Sequence, residues 1–192
     1  TTQTADGVIA KTIAAIGRAH RRFGTTSFLP TLISDDLAVV RAAIDAVDAA
    51  IAAKTPGVEG IHIEGPFISD ARKGAHDSAH IRALDDEHLG LLSSLRHGRT
   101  LVTLAPERAS LQAIERLRAA GVVVSAGHTN ATAAVITEAL AHGLRGFTHL
   151  FNAMSPLQTR EPGVVGAALD DPDSWCALIV DGWHVHPVTL RV

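Results

Sequence analysis

The sequence predicts an α/β fold in which helices cover a parallel β-sheet, and it favours an incomplete (β/α)8 TIM-type barrel. Short apolar runs alternate along the chain with amphipathic helical patterns, as in proteins built from repeated strand–helix units. The runs lack a polar face, which is typical of strands buried on both sides in a parallel sheet. Polar residues follow several of these runs, at the positions where a barrel assembles its active site.

A helical pattern over residues 1–22 leads the chain, and six apolar runs follow it. After the first run, Leu37, Val40 and Ile44 keep the three-to-four spacing of one helix face. Comparable spacing between the later runs predicts six strands with five intervening helices. The predicted strands span residues 25–29, 58–63, 100–104, 122–125, 145–149 and 176–180.

Residues that start and end helices agree with this alternation. Ser34, followed by Asp35 and Asp36, suits the start of the helix after the first strand. Gly121 and Gly143 stand where later helices should end, just before strands. An open doubly wound sheet and a cut barrel both fit this element order, and periodicity does not separate them.

Polar side chains lie at the ends of four of the predicted strands, and their distribution favours the barrel. Glu64 follows the second strand, His128 the fourth, and Asp181 with His184 the sixth, while His149 is the last residue of the fifth. A barrel draws its chemistry from many strand ends. An open doubly wound sheet instead concentrates it at one switch point.

Glu64, His128 and His149 predict a divalent metal site. One carboxylate and two imidazoles suit zinc or iron(II) and leave a position for water. Each residue alone has an ordinary alternative, because Glu64 could cap the next segment and a single buried histidine is often only hydrogen-bonded. The arrival of all three at strand ends favours the metal site.

Two further segments have the character of binding loops. Residues 152–166 show little apolar periodicity, and long irregular connections in compact domains are often binding loops. Arg160 within that loop could bind a phosphate or carboxylate with its planar guanidinium, or could be a solvated surface residue. Gly74, in the segment from Lys73 to His76, permits close backbone approach to a ligand, although basic loops are common.

Composition excludes several classes of protein. The net charge over 192 residues is −3 with no block of like charge, so the chain lacks the electrostatic footprint of nucleic-acid binding. No apolar stretch approaches the roughly 20 residues that span a bilayer. Cys176 is the single cysteine, which excludes an internal disulfide, fits a reducing compartment, and predicts a packed thiol in its apolar run. Together these features predict a cytoplasmic protein that binds neither nucleic acid nor membrane.

The other histidines are interpreted as structural. His62 alternates with Ile61 and Ile63, which predicts an interior histidine with satisfied hydrogen bonds. Five histidines in helical or turn contexts beside charges are interpreted as solvated: His20, His80, His88, His97 and His142.

A series of strings runs in order from about residue 24 to 186. They are GTTSFLPTL at 24–32, HIEGPF at 62–67, KGAH at 73–76, VTLAPE at 102–107, SAGHTNAT at 125–132, THLFNAM at 148–154, REPG at 160–163 and DGWHV at 181–185. The chain resembles, over essentially its whole length, the N-acetylglucosamine-6-phosphate deacetylases of the amidohydrolase superfamily. The resemblance implies that residues 1–192 are a partial barrel domain containing about strands 2 to 7.

The resemblance also implies roles for individual residues. Glu64, His128 and His149 match the metal ligands, with zinc as the first expectation and iron(II) or another divalent ion as alternatives. His76 matches a catalytic residue near the sugar and acetyl group, and Arg160 matches a phosphate-binding arginine that can reach across a dimer interface. The implied substrate contacts are Ala75, His76, Asn152, Ala153, Arg160, Asp181, Gly182, Trp183 and His184. Among them, Asn152 and Ala153 match a backbone contact to the sugar phosphate.

The implied reaction is metal-assisted hydrolysis of N-acetylglucosamine 6-phosphate to glucosamine 6-phosphate and acetate, carried out by a homodimer of the full-length protein. The family's catalytic aspartate lies on the eighth strand, beyond the seventh that this chain reaches, and its small β-sandwich domain is absent. Asp181 does not match that base. The alternatives are a non-catalytic sugar-phosphate-binding protein and another amidohydrolase acting on a cyclic amide.

Overall fold

The computed structural model describes residues 5–192, with side chains described from residue 10. The predicted leading helix is present, and residues 1–4 of that prediction lie outside the described residues. The helices are α1 (Ala5–Arg21), α2 (Leu37–Ala52), α3 (Asp86–Leu92), α4 (Leu111–Ala119), α5 (Ala133–His142), α6 (Gly163–Asp170) and α7 (Pro187–Arg191).

Six parallel strands form one sheet in which the spatial order follows the chain order. The strands are β1 (Thr31–Leu32), β2 (Gly60–Glu64), β3 (Arg99–Leu104), β4 (Val123–Ala126), β5 (Leu144–Phe147) and β6 (Trp175–Cys176). A doubly wound sheet reverses direction at a switch point, and this sheet does not. The fold is therefore part of a (β/α)8 barrel, and helices α2 to α6 are the five predicted between strands.

The first strand lies later than predicted. Residues 25–29 contribute only an isolated bridge between Phe28 and Val58, while the paired strand is β1. Pro30 separates the two, and proline lacks the N–H that a strand ladder needs. Its carbonyl still accepts a hydrogen bond from the His62 N–H at 3.0 Å, so the chain keeps its direction into β1.

One face of the sheet packs under the helices and forms the hydrophobic core. Ile63, Val102 and Val124 are partners across β2, β3 and β4, and each is no more than 1% exposed. Ile44 of α2 and Ile114 of α4 belong to the same core and are equally buried. Because side chains alternate along a strand, the neighbours of these core residues in each strand point to the opposite face, which is the inner face of the barrel.

The inner face beneath the strand ends is polar and fully hydrogen-bonded. The His62 Nδ1 lies 3.1 Å from the Thr31 Oγ1, and its Nε2 lies 2.7 Å from the Thr103 Oγ1. The Thr103 Oγ1 contacts the Thr148 Oγ1 at 2.7 Å, which contacts the Ser125 Oγ at 2.8 Å. The prediction that His62 is a satisfied interior histidine is confirmed.

The last strand, β6, pairs only with β5 in the described part of the chain. The Trp175 ring lies over Gly146, where an added Cβ would fall 2.0 Å from a ring carbon. Cys176 is exposed, so the prediction of a packed core thiol was wrong. An apolar run predicts a buried strand only when neighbours cover it, and within residues 5–192 β6 has a strand neighbour on one side only.

The prediction that His88 is solvated was also wrong, because this histidine is 6% exposed. Its ring packs edge-on against Phe67 with centroids 5.0 Å apart. Asp85 and His88 form a capping box at the start of α3, which satisfies backbone donors at the helix end.

Within residues 5–192, none of the helices combines the length and apolarity required to cross a membrane.

A buried carboxylate ties α2 to the segment before β3. The Asp48 side chain is 4% exposed. It accepts hydrogen bonds from the backbone N–H groups of Arg96 (3.1 Å) and His97 (2.8 Å), and from their side chains at 2.7 and 2.8 Å. Burial opposes ionisation of Asp48, but the hydrogen bonds from His97 and Arg96 outweigh it and lower its pKa.

Replacing Asp48 by Asn should lower the free energy of unfolding by about 2 kcal/mol, because the amide carries no charge and offers one acceptor oxygen where the carboxylate offers two, which leaves at least one donor unpaired. Urea denaturation at pH 7 measures the difference. Because the pKa of Asp48 is lower in the folded than in the unfolded protein, its ionised side chain stabilises the fold at pH values above the unfolded pKa of about 3.9. This contribution is lost as the pH falls through the folded-state pKa, so the difference in stability between the wild type and Asp48→Asn should disappear in acid. Asp45→Asn, at an exposed position of the same helix, is the control; equal effects of both changes would contradict this role.

Candidate metal centre

The three predicted metal ligands stand at the carboxyl ends of three strands. Glu64 ends β2, His128 comes two residues after β4, and His149 comes two residues after β5. Both histidines have left-handed backbone conformations, with φ of 48° and 41°. Such conformations are uncommon outside glycine and cost free energy, so they concentrate at functional sites.

The donor atoms of these residues meet at one point. The Glu64 Oε1 lies 3.0 Å from the His128 Nε2 and 3.0 Å from the His149 Nε2. The two Nε2 atoms are 3.0 Å apart. The side chains of Glu64, His128 and His149 are 14%, 9% and 11% exposed.

The opposite nitrogen of each imidazole identifies its tautomer. The His128 Nδ1 lies 2.8 Å from the Arg72 carbonyl oxygen, and the His149 Nδ1 lies 3.1 Å from the Asn152 carbonyl oxygen. A carbonyl only accepts, so both Nδ1 atoms carry a hydrogen, and in the neutral form of each ring the Nε2 presents a lone pair. Backbone carbonyls hold metal-binding histidines in this way.

A cation fits this arrangement. Two lone pairs and a carboxylate oxygen facing one another at 3.0 Å repel unless a positive charge lies between them. Tetrahedral zinc with bonds of about 2.0–2.1 Å separates its ligand atoms by roughly 3.3 Å. Two histidines and a glutamate form a known ligand set of catalytic zinc, and imidazole with carboxylate also suits iron(II).

The electrostatics keep the cluster in its metal-binding form. Burial alone would raise the pKa of Glu64, but its close contacts with the imidazoles of His128 and His149 outweigh burial and hold that pKa well below the usual range, so the carboxylate is ionised at neutral pH. Burial lowers the pKa of His62, which lies beneath the cluster, and keeps that ring uncharged. No competing positive charge from His62 therefore lies under the cluster.

His76 lies beside the cluster and is 3% exposed. Its ring meets the His128 ring edge-on, with centroids 4.4 Å apart, and one of its nitrogens lies within 4.8 Å of ligand atoms of both Glu64 and His128. Burial, followed by the neighbouring histidines, lowers the pKa of His76 to about 4. Of the adjoining residues, Ala75 is exposed, and a Cβ on Gly74 would lie 3.5 Å from the His128 ring.

The loop carrying His128 is held by a carboxylate that sequence analysis did not single out. The Glu107 Oε2 accepts a hydrogen bond from the Thr129 hydroxyl at 2.5 Å, and its Oε1 accepts one from the Asn130 N–H at 2.7 Å. The Asn130 Oδ1 in turn accepts from the Arg72 Nε at 2.9 Å. Glu107 lies within the string at 102–107, so its motif was visible although its role was not.

The predicted binding loop, residues 152–166, is shorter than expected because α6 begins at Gly163. The Glu161 Oε1 accepts hydrogen bonds from the N–H groups of Ala133 (2.8 Å) and Gly163 (3.0 Å), which fixes the loop between two helix starts. Arg160 is exposed immediately before this anchor. The Asn152 carbonyl binds His149 and the Ala153 carbonyl accepts from the Thr129 N–H at 3.1 Å, so both support the ligand loops.

The segment from Asp181 to His184 forms an exposed turn after β6. The Asp181 Oδ1 accepts from the backbone N–H groups of Trp183 (2.8 Å) and His184 (2.9 Å), and its Oδ2 lies 2.7 Å from the His184 Nδ1. These bonds lower the pKa of Asp181 to about 2. Trp183 and Gly182 complete the turn, and Trp183 is 91% exposed. The described contacts of this carboxylate stay within the turn and do not join the cluster.

Comparison with known proteins identifies what this arrangement is similar to. The sequence profile of the amidohydrolase family matches residues 4–192. The N-acetylgalactosamine-6-phosphate deacetylase of Shewanella sp. (strain ANA-3) is 46% identical over 179 residues, which are 93% of this chain and 45% of that protein. The N-acetylglucosamine-6-phosphate deacetylase of Bos taurus is 37% identical, over 94% of this chain and 46% of that protein.

Solved structures give the same result. A mutant N-acetyl-D-glucosamine-6-phosphate deacetylase from Mycobacterium smegmatis, in complex with N-acetyl-D-glucosamine-6-phosphate, superposes with a TM-score of 0.84 at 35% identity, over 98% of this chain and 48% of that one. The Pasteurella multocida N-acetylglucosamine-6-phosphate deacetylase superposes with a TM-score of 0.83 at 38% identity, over 88% of this chain and 44% of that one. The chain thus spans about half the length of the proteins it matches.

Proposed function

Since this chain belongs to the amidohydrolase family, we propose that it is the metal-binding part of an enzyme that deacetylates N-acetylglucosamine 6-phosphate. In this reaction the amide C–N bond breaks, a water oxygen joins the acetyl carbon, and a proton goes to the leaving amine. The products are acetate and glucosamine 6-phosphate. The observation that carries the proposal is the convergence of the Glu64 Oε1 and the two Nε2 atoms of His128 and His149 at 3.0 Å.

We assign Glu64, His128 and His149 as the residues that hold the metal, with zinc as the first choice and iron(II) as the alternative. A divalent ion held there would supply Lewis acidity and lower the pKa of water bound to it. The carbonyls of Arg72 and Asn152 orient the two imidazoles. Glu107 steadies the loop on which His128 stands, and the polar layer beneath the strand ends keeps those ends in register.

His76 is proposed to touch the substrate. A neutral, buried imidazole beside the metal can donate a hydrogen bond to the acetyl carbonyl oxygen as negative charge develops on it. Arg160 would bind the 6-phosphate with its planar guanidinium, and the backbone around Asn152 and Ala153 would border the same phosphate. The exposed turn from Asp181 to His184 remains a proposed contact to the sugar.

The base that takes the proton from water is not assigned to this chain. Asp181 is a poor candidate because both of its oxygens are held within its own turn, and a carboxyl with a pKa of about 2 takes up protons weakly at neutral pH. In the proposed enzyme the base comes from the eighth barrel strand, outside these 192 residues. The homodimer and the cytoplasmic location stay predictions.

A second substrate is favoured by one specific observation. The Shewanella relative, at 46% identity, is named for N-acetylgalactosamine 6-phosphate. The bovine relative, at 37% identity, is named for N-acetylglucosamine 6-phosphate. The two sugars differ in the orientation of one hydroxyl group, at C4, and share the acetamide and the phosphate. Assaying both compounds side by side decides which hexosamine the enzyme prefers.

The test is acetate release by the metal-loaded, full-length protein from the 6-phosphorylated sugars and from unphosphorylated N-acetylglucosamine. Arg160→Ala should lower kcat/KM for the phosphorylated substrate about 100-fold, since a charge-assisted bidentate contact is worth about 1.5–3 kcal/mol. The unphosphorylated sugar should be affected less than about threefold. Arg118→Ala, at an exposed position of α4, is the control.

Three outcomes would count against the proposal. Equal losses on both sugars would remove Arg160 from the phosphate site. Phosphorylated sugar that binds without any acetate release would favour the non-catalytic sugar-phosphate-binding protein, and hydrolysis confined to a cyclic amide would favour the other kind of amidohydrolase.

A further inference from the structure

Ser34 is turned into the interior and contacts His76. The residue lies between β1 and α2 and is 5% exposed. Its Oγ lies 2.7 Å from the His76 Nδ1, and its backbone nitrogen lies 3.3 Å from the same atom. The sequence suggested Ser34 as a helix start, but the N-cap of α2 is Asp36. The serine side chain therefore forms its hydrogen bond with His76, 42 positions away in the chain, and does not cap the helix.

The backbone contact determines where the His76 proton lies. A backbone N–H can only donate, so the Nδ1 that receives it must present a lone pair. A hydrogen on Nδ1 would point at the hydrogen of the Ser34 N–H. The serine hydroxyl can rotate to donate to the same lone pair. Two donors aimed at Nδ1 leave the hydrogen of the neutral ring on Nε2.

The pair depends on the residue that follows Glu64. Gly65 has φ of +82°, and a Cβ on it would lie 2.3 Å from the Ser34 Oγ. Glycine alone combines that backbone conformation with enough space for the serine. The strand end that carries a proposed metal ligand thus also makes room for Ser34.

The hydrogen bonding of His76 differs from that of the two histidines proposed as metal ligands. His128 and His149 donate through Nδ1 to carbonyls and present lone pairs at Nε2, whereas His76 accepts at Nδ1 from Ser34. Its lone pair is occupied, and what it can offer a ligand is an N–H. Although its position beside Glu64 and His128 would suit a fourth ligand, its hydrogen bonding suits a donor to an oxygen.

We propose that Ser34 is a positioning residue that fixes the Nε2–H tautomer of His76, so that this ring donates a hydrogen bond to the acetyl carbonyl oxygen during hydrolysis. The inference rests on the proposed function for the identity of that oxygen. The tautomer itself rests only on the Ser34–His76 geometry. A ring free to exchange tautomers would present the required N–H for only part of the time.

The direct test is the protonation pattern of His76 in the metal-loaded, full-length protein labelled with 15N-histidine. Nitrogen chemical shifts distinguish a protonated ring nitrogen from an unprotonated one, and a His76→Gln sample assigns the signals. The wild type should show a protonated Nε2 and an unprotonated Nδ1 at pH 7. A protonated Nδ1 in the wild type would overturn the inference without recourse to any serine variant.

Ser34→Ala tests the serine itself. Loss of the hydroxyl leaves only the longer backbone contact, so the His76 signals should shift towards a mixture of tautomers and kcat should fall about tenfold. Metal content should be unchanged and KM should change less than about twofold. Ser93→Ala is the matched control, because the Ser93 hydroxyl bonds only to carbonyls in α3. Unchanged His76 signals and unchanged kcat in Ser34→Ala would overturn the role of the hydroxyl.

Failure of this inference is distinguishable from failure of the proposed function. A wild-type protein that releases acetate but has a protonated His76 Nδ1 would disprove the inference alone. A protein with the expected tautomer that releases no acetate would disprove the deacetylase, and with it the assignment of the acetyl oxygen as the acceptor.

Discussion

Replacing His128 by Asn should strip the metal from the full-length protein and abolish acetate release. The His128 Nε2 lies 3.0 Å from both other donor atoms, and the shorter amide does not reach the same point. Asparagine tolerates the left-handed backbone of residue 128 well, so the loop should keep its shape. Bound metal after dialysis should fall from about one ion per chain to below about 0.1, and kcat/KM should fall at least about 1,000-fold.

Metal analysis by plasma mass spectrometry, with an acetate assay on the same samples, measures this effect. His142→Asn removes a histidine at the end of α5, where the side chain is 35% exposed, and should change neither quantity. Undiminished metal content in His128→Asn would show that His128 is not a ligand. The assignment of the three-residue site would then be wrong.

Replacing His76 by Ala should lower kcat about 100- to 1,000-fold while leaving the metal in place. Removing one hydrogen-bond donor to a developing oxyanion has effects of this size. The His76 Nδ1 is occupied by Ser34 and its Nε2 carries a hydrogen, so neither nitrogen should bind the metal. KM should change much less than kcat, because the interaction strengthens as charge builds on the oxygen.

The decisive comparison is between activity and metal content of the same preparation. His20→Ala, at an exposed position of α1, is the control for loss of an imidazole. If His76→Ala loses its metal together with its activity, His76 is a fourth ligand rather than a donor to substrate. The proximity of His76 to Glu64 and His128 makes that alternative a real one, which is why metal content has to be measured.

The local pattern was sufficient for most of the fold. Apolar runs and helix-spaced residues predicted five helices between six strands, and the structure contains them. Errors occurred where the neighbours of a strand decide the outcome. The run at 176–180 predicted a buried strand, but Cys176 is exposed in a strand that pairs on one side only within residues 5–192, and the first strand formed only beyond Pro30.

Histidines show the same division. His62 alternates between apolar residues on a strand, so its interior position followed from local sequence. His88 stands among acidic residues and was predicted to be solvated, yet its ring caps α3 and packs on Phe67. Adjacent charges describe a residue's neighbours in sequence, whereas burial depends on which element packs above it.

The sequence by itself determined that this is an α/β chain with polar residues at successive strand ends, because strand and helix periods and the identity of each residue are local properties. Only the tertiary structure decided that the sheet runs in sequential order without a switch point. It alone brought Glu64 to within 3.0 Å of histidines 64 and 85 positions away, and turned Ser34 from a helix start into a partner of His76. Parallel strands bring together residues far apart in the chain, and the packing that sets those distances has no signature in any short window of sequence.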